Sequence, residues 1–288
     1  MVQEGFIDVE GGKVWYEIDG NKKNTPLIVL HGGPGSAHFS MKGLAALSDD
    51  RQVVFYDQLG CGNSDRPSDT TLWQTERFVR ELAVLREKLE LDKVHILGHS
   101  WGTMLLADYL LTKPKGVASA IFSSPCLSAR RWADDAIRLR KQLPADVQAT
   151  LTKCEENENT DSDEYREAEK VYMKQFVCRV EISKEDRELR EFMFGKEVYN
   201  FMWGPSEFYP TGNLKEYDRT NRLHEIEVPS LFTCGHYDEA TPESTAYYHS
   251  LVPDSQFHIF ENSAHSPLRE QLSDYLQVIR TFLQETED

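Results

Sequence analysis

The sequence lacks the features of several protein classes. No stretch approaches the roughly 20 apolar residues that a membrane-spanning helix needs, so no membrane protein is expected. The first residues, MVQEGFIDVEGG, have neither a basic nor an apolar leader segment, which predicts no secretory signal. The five cysteines are dispersed and free of CxxC spacing, so neither disulfides nor a zinc site are expected. No glycine-rich phosphate loop is visible either. We therefore expect a cytoplasmic protein that uses no metal and no other cofactor.

Positive charge is also scarce. The chain of 288 residues has 32 Lys and Arg against 48 Asp and Glu, which gives a net charge of −16. This balance argues against binding to the backbone of nucleic acids and against docking on anionic lipid. It favours cationic ligands such as peptides with a free amino terminus, and an acidic surface also serves solubility alone.

Short runs rich in Val, Ile and Leu recur along the chain, and each ends in Gly, Ser or Pro. Such runs are typical of strands that are buried on both faces of a parallel sheet. They read PLIVLHG, QVVFYDQLG, KVHILGHS and ASAIFSSP. Before them, GFIDVEGGKVWYEIDG predicts a β-hairpin. Residues 73–90 carry apolar side chains at spacings of three to four and predict an amphipathic helix.

The pattern changes in the middle of the chain. Residues 128–223 are charged and helical in character, with an acidic run, CEENENTDSDEYREAEK, that we interpret as a solvated helix face or loop. Strand and helix patterns then resume with VPSLFTCGHYDEATP and SQFHIFENSAHSP. We predict a core made of residues 1–127 and 224–288, interrupted by a helical cap over residues 128–223.

The motif GHSWG at residues 98–102 follows the run VHIL and precedes an apolar helical stretch. In this context G-x-S-x-G predicts a nucleophile elbow, a tight strand-to-helix turn that exposes the serine above the sheet. The two glycines allow the close approach of neighbouring backbone. Ser100 is therefore the candidate nucleophile.

A serine nucleophile needs a base and an acid that orients it, and in this architecture they follow in the order Ser, Asp or Glu, His. Asp238 and His265 each follow a predicted strand, at the sheet edge where open α/β sheets place their sites. Glu239 is the alternative acid. His236 and His258 are alternative bases, although the first would crowd the acid's own loop and the second falls inside a strand.

Acyl transfer also needs donors for an oxyanion. The backbone N–H of Trp101, directly after the candidate nucleophile, is one expected donor. The loop HGGPG at residues 31–35 supplies the other, and we assign it to Gly33 because Pro34 has no N–H. His31 is expected to shape this loop.

Four segments carry a resemblance to a known family. HGGPGS at residues 31–36, YDQLGCGNSDRP at 56–67, GHSWG at 98–102 and WGPSEF at 203–208 resemble the proline iminopeptidase family of α/β-hydrolases, which is close to the amino-acid amidases. The likeness covers nearly the whole chain. It implies a mostly parallel eight-stranded sheet flanked by helices, with an inserted helical cap.

The resemblance also implies an activity and a substrate. The expected reaction is release of an N-terminal residue, typically proline, from a small peptide, amide or arylamide with a free amino terminus. The triad falls on Ser100, Asp238 and His265. The family's carboxylates that hold the substrate amino group match Glu207 and Glu239. Independently, a buried ammonium requires a paired charge. Glu207 lies in an aromatic segment, among Phe201, Trp203, Phe208 and Tyr209, that is suited to wrapping a pyrrolidine ring.

One departure and two alternatives accompany this interpretation. Thr103 stands where many family members have a second glycine, and it could reshape the floor of the pocket. A carboxylesterase, lactonase or other α/β-hydrolase of neutral small molecules would use the same triad without Glu207. A receptor that only binds its ligand would keep the fold but has no need of the complete triad.

Overall fold

The computed structural model describes residues 2–21 and 23–287, which form one eight-stranded sheet. The strands are β1 Val2–Val9, β2 Gly12–Asp19, β3 Asn24–Leu30, β4 Arg51–Tyr56, β5 Val94–His99, β6 Val117–Ser123, β7 Ser230–Gly235 and β8 Ser255–Phe260. Their order is β1-β2-β4-β3-β5-β6-β7-β8. The hairpin of β1 and β2 is antiparallel and joins β4 in antiparallel register, and every later pair is parallel. The predicted fold class is confirmed.

Both faces of the parallel strands are buried, as their continuous apolar sequences predict. In β3, Ile28 and Leu30 contact one hydrophobic core, whereas Leu27 and Val29 contact another on the opposite face. This alternation follows from the period of two along a strand.

Helices cover both faces of the sheet. They are α1 Thr75–Lys88, α2 Trp101–Leu111, α8 Pro242–Leu251, α9 Pro267–Glu270 and α10 Leu272–Glu285. Helices α1, α2 and α8 pack into one core, and α10 packs into the other beside the 3₁₀ helix His38–Asp49. No helix among residues 2–21 and 23–287 is long and apolar enough to cross a membrane.

Five helices lie between β6 and β7, within the segment predicted as a cap. They are α3 Ala129–Arg140, α4 Ala145–Glu156, α5 Asp163–Tyr172, α6 Lys184–Met193 and α7 Lys196–Met202. A single π-helical turn, Met173–Val177, continues α5. The cap has its own small core around Leu151, Tyr165 and Tyr172. The acidic run covers the end of α4 and most of α5, whose charged residues are largely exposed. The exact bounds 128–223 stay a prediction.

Candidate active site

The turn between β5 and α2 presents Ser100. Its backbone has φ of 53°, in the left-handed region that most residues avoid. A Cβ on Gly98 would collide with the carbonyl of Gly102, and a Cβ on Gly102 would collide with the carbonyl of Leu30. Only glycine fits at both positions, so the tight turn that brings Ser100 to the cavity wall follows directly from the sequence.

Asp238 and His265 lie together at the same edge of the sheet. His265 Nδ1 donates to Asp238 Oδ1 at 2.7 Å. Asp238 is 1 % exposed and accepts three further hydrogen bonds, from Ser124 Oγ at 2.6 Å, Gly235 N at 3.1 Å and Ala240 N at 2.7 Å. The carboxylate is therefore saturated and fixed, and it directs the second ring nitrogen of His265, Nε2, away from itself.

His265 and Ser100 line one cavity of about 400 Å³. The structure therefore brings the candidate nucleophile, the candidate base and its acid together. Other residues of its wall are Gly33, His99, Glu169 and Glu207. The alternative bases lie elsewhere: His236 is half exposed and contacts Glu261 at 3.2 Å, and His258 lies in β8. A serine and a histidine on one cavity, with an aspartate bonded to the histidine, are the side chains that nucleophilic acyl transfer requires.

The two expected oxyanion donors flank Ser100. Trp101 is the first residue of α2, where backbone N–H groups have no acceptor within the helix. Gly33 lines the cavity beside Ser100. Beneath this loop, the fully buried His31 accepts a hydrogen bond at Nε2 from Gln58 N at 3.1 Å, and Trp101 Nε1 donates to Gln58 Oε1 at 2.8 Å. One buried network therefore ties the loop to the elbow.

Thr103 lies inside the elbow and not on the cavity surface. Its hydroxyl donates to Ser100 O at 2.6 Å and accepts from Cys126 N at 3.0 Å. Cys126 lines a narrow apolar niche next to Ser100. The departure at Thr103 therefore bears on the pocket indirectly, by fixing Cys126.

Glu239 differs sharply from its neighbour Asp238. It is 1 % exposed, and neither of its carboxylate oxygens has a hydrogen-bond partner among the described residues. Its Oε1 lies 4.0 Å from His265 Nε2, which also lacks a partner there. Burial raises the pKa of Glu239, and the nearby Glu207 and Asp238 raise it further, whereas the charge of His265 and the buried Tyr172 hydroxyl that faces the carboxylate lower it. A buried carboxylate without donors is a site for a cation or a proton.

Glu207 lies in the segment that follows α7 and reaches the same cavity. The indole N–H groups of Trp132 and Trp203 both donate to its backbone carbonyl, at 2.8 Å and 3.1 Å. The two indoles pack edge to face at 6.0 Å between ring centroids, and Trp132 also meets the ring of His265 at 5.6 Å. These contacts place the Glu207 backbone next to the base.

The aromatic surroundings of Glu207 differ in part from the prediction. Trp203 and Trp132 wall the niche beside Ser100. Phe208 packs instead into the cap core against Tyr172, and Phe201 is 38 % exposed. Expecting the whole aromatic segment to face the substrate was wrong because its side chains point to different sides of an irregular turn.

Two further features of the site have no signal in the sequence. Glu169 on α5 lines the cavity, where burial and the nearby Glu207 raise its pKa to about 7. The carbonyl of Phe176, in the π-helical turn, accepts hydrogen bonds from the backbone N–H groups of both Glu239, at 3.2 Å, and His265, at 3.3 Å. The cap thus contacts the loops of the acid and the base through one oxygen.

Charges around His265 oppose the effect of its burial. Burial lowers the pKa of the imidazole, but Asp238, Glu239 and Glu207 together raise it to about 9. His99, whose ring lies 4.9 Å from that of His265, has its pKa lowered by burial and by the charge on His265. Within the described ranges, no group of three or more His, Cys, Asp and Glu side chains could hold a metal ion.

Comparisons with known proteins agree with this architecture. The sequence profile of the α/β-hydrolase fold matches residues 25–271. A proline iminopeptidase of Heyndrickxia coagulans is 58 % identical over 285 residues, which cover 98 % of this chain and 99 % of the relative. The crystal structure of a proline iminopeptidase from Mycobacterium smegmatis superimposes with a TM-score of 0.91 at 32 % identity, over 99 % of both chains. The crystal structure of VinJ gives a TM-score of 0.95 at 31 % identity, also over 99 % of both chains.

Proposed function

The chain belongs to the proline iminopeptidase family of α/β-hydrolases, and from this we propose that it releases an N-terminal residue, preferably proline, from small peptides, amides or arylamides. The enzyme is a serine hydrolase that works through an acyl-enzyme. Ser100 is the nucleophile, His265 the general base and acid, and Asp238 the group that orients the imidazole. The backbone N–H groups of Gly33 and Trp101 bind the oxyanion.

The reaction proceeds in two acyl transfers. Ser100 Oγ attacks the carbonyl carbon of the N-terminal residue while His265 Nε2 takes its proton, and the oxyanion accepts hydrogen bonds from Gly33 and Trp101. The imidazolium then gives its proton to the leaving amine as the amide bond breaks. Water attacks the resulting ester of Ser100, again with His265 as base, and the free amino acid leaves.

The observation that carries this proposal is the unpaired carboxylate of Glu239. A buried carboxylate without hydrogen-bond donors is costly unless a cation neutralises it. The α-ammonium of a peptide is a cation with N–H donors, two of them when the first residue is proline, and it stands one carbon from the carbonyl that Ser100 attacks. Glu207 shares the cavity with Ser100 and supplies the second carboxylate.

The narrow niche beside Ser100, about 10 Å³, gives the cavity an apolar wall at this point. Its walls are the indoles of Trp132 and Trp203, the Met104 side chain and the Cys126 thiol. Aromatic faces and sulfur pack well against an aliphatic ring, and a pyrrolidine ring has no flexible stem to order. This favours proline over long or charged N-terminal residues.

We infer a cytoplasmic location from the cysteines. All five are free thiols in the structure, which is typical of a reducing compartment. The alternative substrate class, neutral esters or lactones, would bring no cation to the two glutamates.

The test compares proline arylamide with its N-acetyl derivative. The free amine should be cleaved well and the acetylated compound hardly at all. Glu207→Gln removes one partner of a buried charge pair, which typically costs about 2–5 kcal/mol. On the free amine, kcat/KM should fall roughly thirty- to several-thousand-fold, whereas a simple acyl ester should be little affected. Activity should also fall above pH of about 8, where the α-amino group loses its charge.

The matched control is Glu191→Gln. Glu191 is an exposed carboxylate on α6 that lines the same cavity, and its loss should leave the ratio of amine to ester rates unchanged. Equal rates on free and acetylated substrates, with Glu207→Gln unchanged on both, would refute the aminopeptidase and leave only a serine hydrolase.

A further inference from the structure

Glu239 lies directly behind His265, which forms part of the cavity wall. The Nε2–Oε1 distance of 4.0 Å is the range of an ion pair, and neither atom has another partner among the described residues. Both groups are almost fully buried, at 1 % and 5 % exposure. A neutral imidazole beside an ionised carboxylate would leave that negative charge buried and unmatched. In the empty site the pair therefore holds one proton, whereas a neutral imidazole beside an ionised carboxylate would hold none between Nε2 and the carboxyl.

We propose that the substrate's ammonium exchanges for this proton, so that binding of the substrate itself converts His265 to its basic form. The inference rests on the proposed function and assigns Glu239 a second role, that of a specificity-determining residue at the chemical step. In the empty enzyme one proton is shared by Nε2 and the Glu239 carboxyl. When the ammonium binds Glu239, that proton passes to water, which leaves Nε2 with a free lone pair toward Ser100 Oγ. One cation enters and one proton leaves, so the charge of the site is conserved.

The other charged groups around His265 are compatible with this exchange. Asp238 is occupied by its four hydrogen bonds and keeps these partners in both states. His99 adds no positive charge, since burial and the charge on His265 lower its pKa. Arg269 on α9 reaches the cavity but forms an ion pair with Asp186 at 2.7 Å.

The remaining carboxylate of the cavity near the base is Glu207, whose charge adds to that of Glu239. Asp238 contributes most to the raised pKa of His265, about 9, and the charges of Glu239 and Glu207 add to it. Because the pair shares one proton, its titration belongs to the pair and not to either residue. An ammonium bound between the two glutamates cancels the field of their two negative charges.

The exchange has a consequence for selectivity. An ester or acylated substrate that brings no cation leaves the pair protonated, and at neutral pH the base is then largely blocked. Discrimination against neutral substrates therefore arises in kcat as well as in binding. A Glu239 that served only to hold the ammonium would affect binding of the free amine and nothing else.

Calorimetry tests the exchange directly. The protein is Ser100→Ala, which binds proline amide without cleaving it, and the titration is repeated at pH 7 in buffers of different ionisation enthalpy. The empty pair titrates near 9. In the complex only Asp238 holds the pKa of the imidazole above its ordinary value of about 6.5, so release of a fraction of one proton is expected. Adding Glu239→Gln should reduce the release to near zero. Adding Glu207→Gln instead, the matched control, should weaken binding but keep most of the release.

A second measurement needs no amine ligand. The rate at which a fluorophosphonate labels Ser100 depends on neutral His265, so in the wild type it should rise with pH through about 9. In Glu239→Gln the rise should move toward the ordinary imidazole value of about 6.5. The variant should therefore be labelled faster than the wild type at pH 7, although it cleaves proline arylamide more slowly.

The outcomes separate the two proposals. Binding of proline amide without proton release, or identical pH profiles of labelling in the wild type and Glu239→Gln, would overturn the exchange and leave the aminopeptidase intact. Failure of the wild type to cleave proline arylamide would overturn the aminopeptidase and the exchange with it.

Discussion

The carboxyl edge of the sheet and the helical cap face the same cavity but are built in opposite ways. At the sheet edge, Asp238 is saturated by four donors and Ser100 is fixed by a turn that only glycines permit. On the cap side, Glu207 is held by its backbone, through two indoles, while its carboxylate reaches the open cavity. In the proposed reaction, the sheet edge fixes the groups that every substrate needs, and the cap holds groups that select among substrates.

Glu239 is the exception that makes the comparison informative. It follows Asp238 directly on the sheet side, yet both of its oxygens lack partners. The loop after β7 therefore supplies both kinds of group, one saturated and one unpaired. Changes at the sheet edge should affect all substrates alike, and changes on the cap side should affect free amines most.

The largest effect is expected for Ser100→Ala. Loss of a triad nucleophile can cost up to about a million-fold in kcat, and the loss should be the same on proline arylamide and on a simple ester. The fold should be unaffected because one hydroxyl at a cavity wall is removed, which circular dichroism would check. Retention of more than a few per cent of activity, while His265→Ala is inactive, would contradict the elbow.

Asp238→Asn should be the next largest. The amide cannot hold the imidazole in the required tautomer, and comparable changes in serine hydrolases cost about four orders of magnitude in kcat. Steady-state kinetics on amide and ester should show the same loss. Ser124→Ala is the control, since it removes only one of the four donors to Asp238 and should cost about 0.5–1.5 kcal/mol, or roughly two- to tenfold. A loss confined to the free amine would contradict the division between sheet edge and cap.

A smaller and selective effect is expected for Trp132→Phe. The substitution keeps an aromatic ring but removes the N–H that donates to Glu207 O at 2.8 Å, while Trp203 still donates at 3.1 Å. The loss of one neutral hydrogen bond should lower kcat/KM on proline arylamide by about two- to tenfold. Trp203→Phe, which removes the other donor to the same oxygen, is the matched comparison. An equal loss on a simple ester would show that the indole acts on the base and not through Glu207.

No effect is expected from chelation. The sequence predicts an enzyme without a metal, so activity measured after incubation with EDTA and dialysis should be unchanged. Loss of activity that zinc or manganese restores would point to a metallo-aminopeptidase. The catalytic roles assigned to Ser100, His265 and Asp238 at the sheet edge would then be wrong.

The sequence predicted best what depends on local geometry. Ser100 was identified from its two flanking glycines and the preceding strand, because the turn itself requires them. The fold followed from continuous apolar runs, which two-sided burial demands. Asp238 and His265 followed from the ends of strands, because parallel strands bring their carboxyl ends to one edge.

What the sequence could not predict depends on contacts between distant segments. Trp132 lies near the start of the cap, and nothing local indicates that its indole meets both Glu207 and His265. The absence of partners around Glu239 is a property of everything packed against it. Phe201 and Phe208 were expected at the substrate, but an irregular turn gave them other neighbours.

The Phe176 carbonyl limits where caps can be exchanged between members of this family. The turn Met173–Val177 belongs to the cap by sequence, yet its oxygen is bonded to the amides of Glu239 and His265. A chimera that replaces this turn together with the cap also replaces the carbonyl that holds the loops of Asp238 and His265. A transplant that begins after this turn, at α6, would change the cavity mouth and leave the acid–base alignment of the recipient in place.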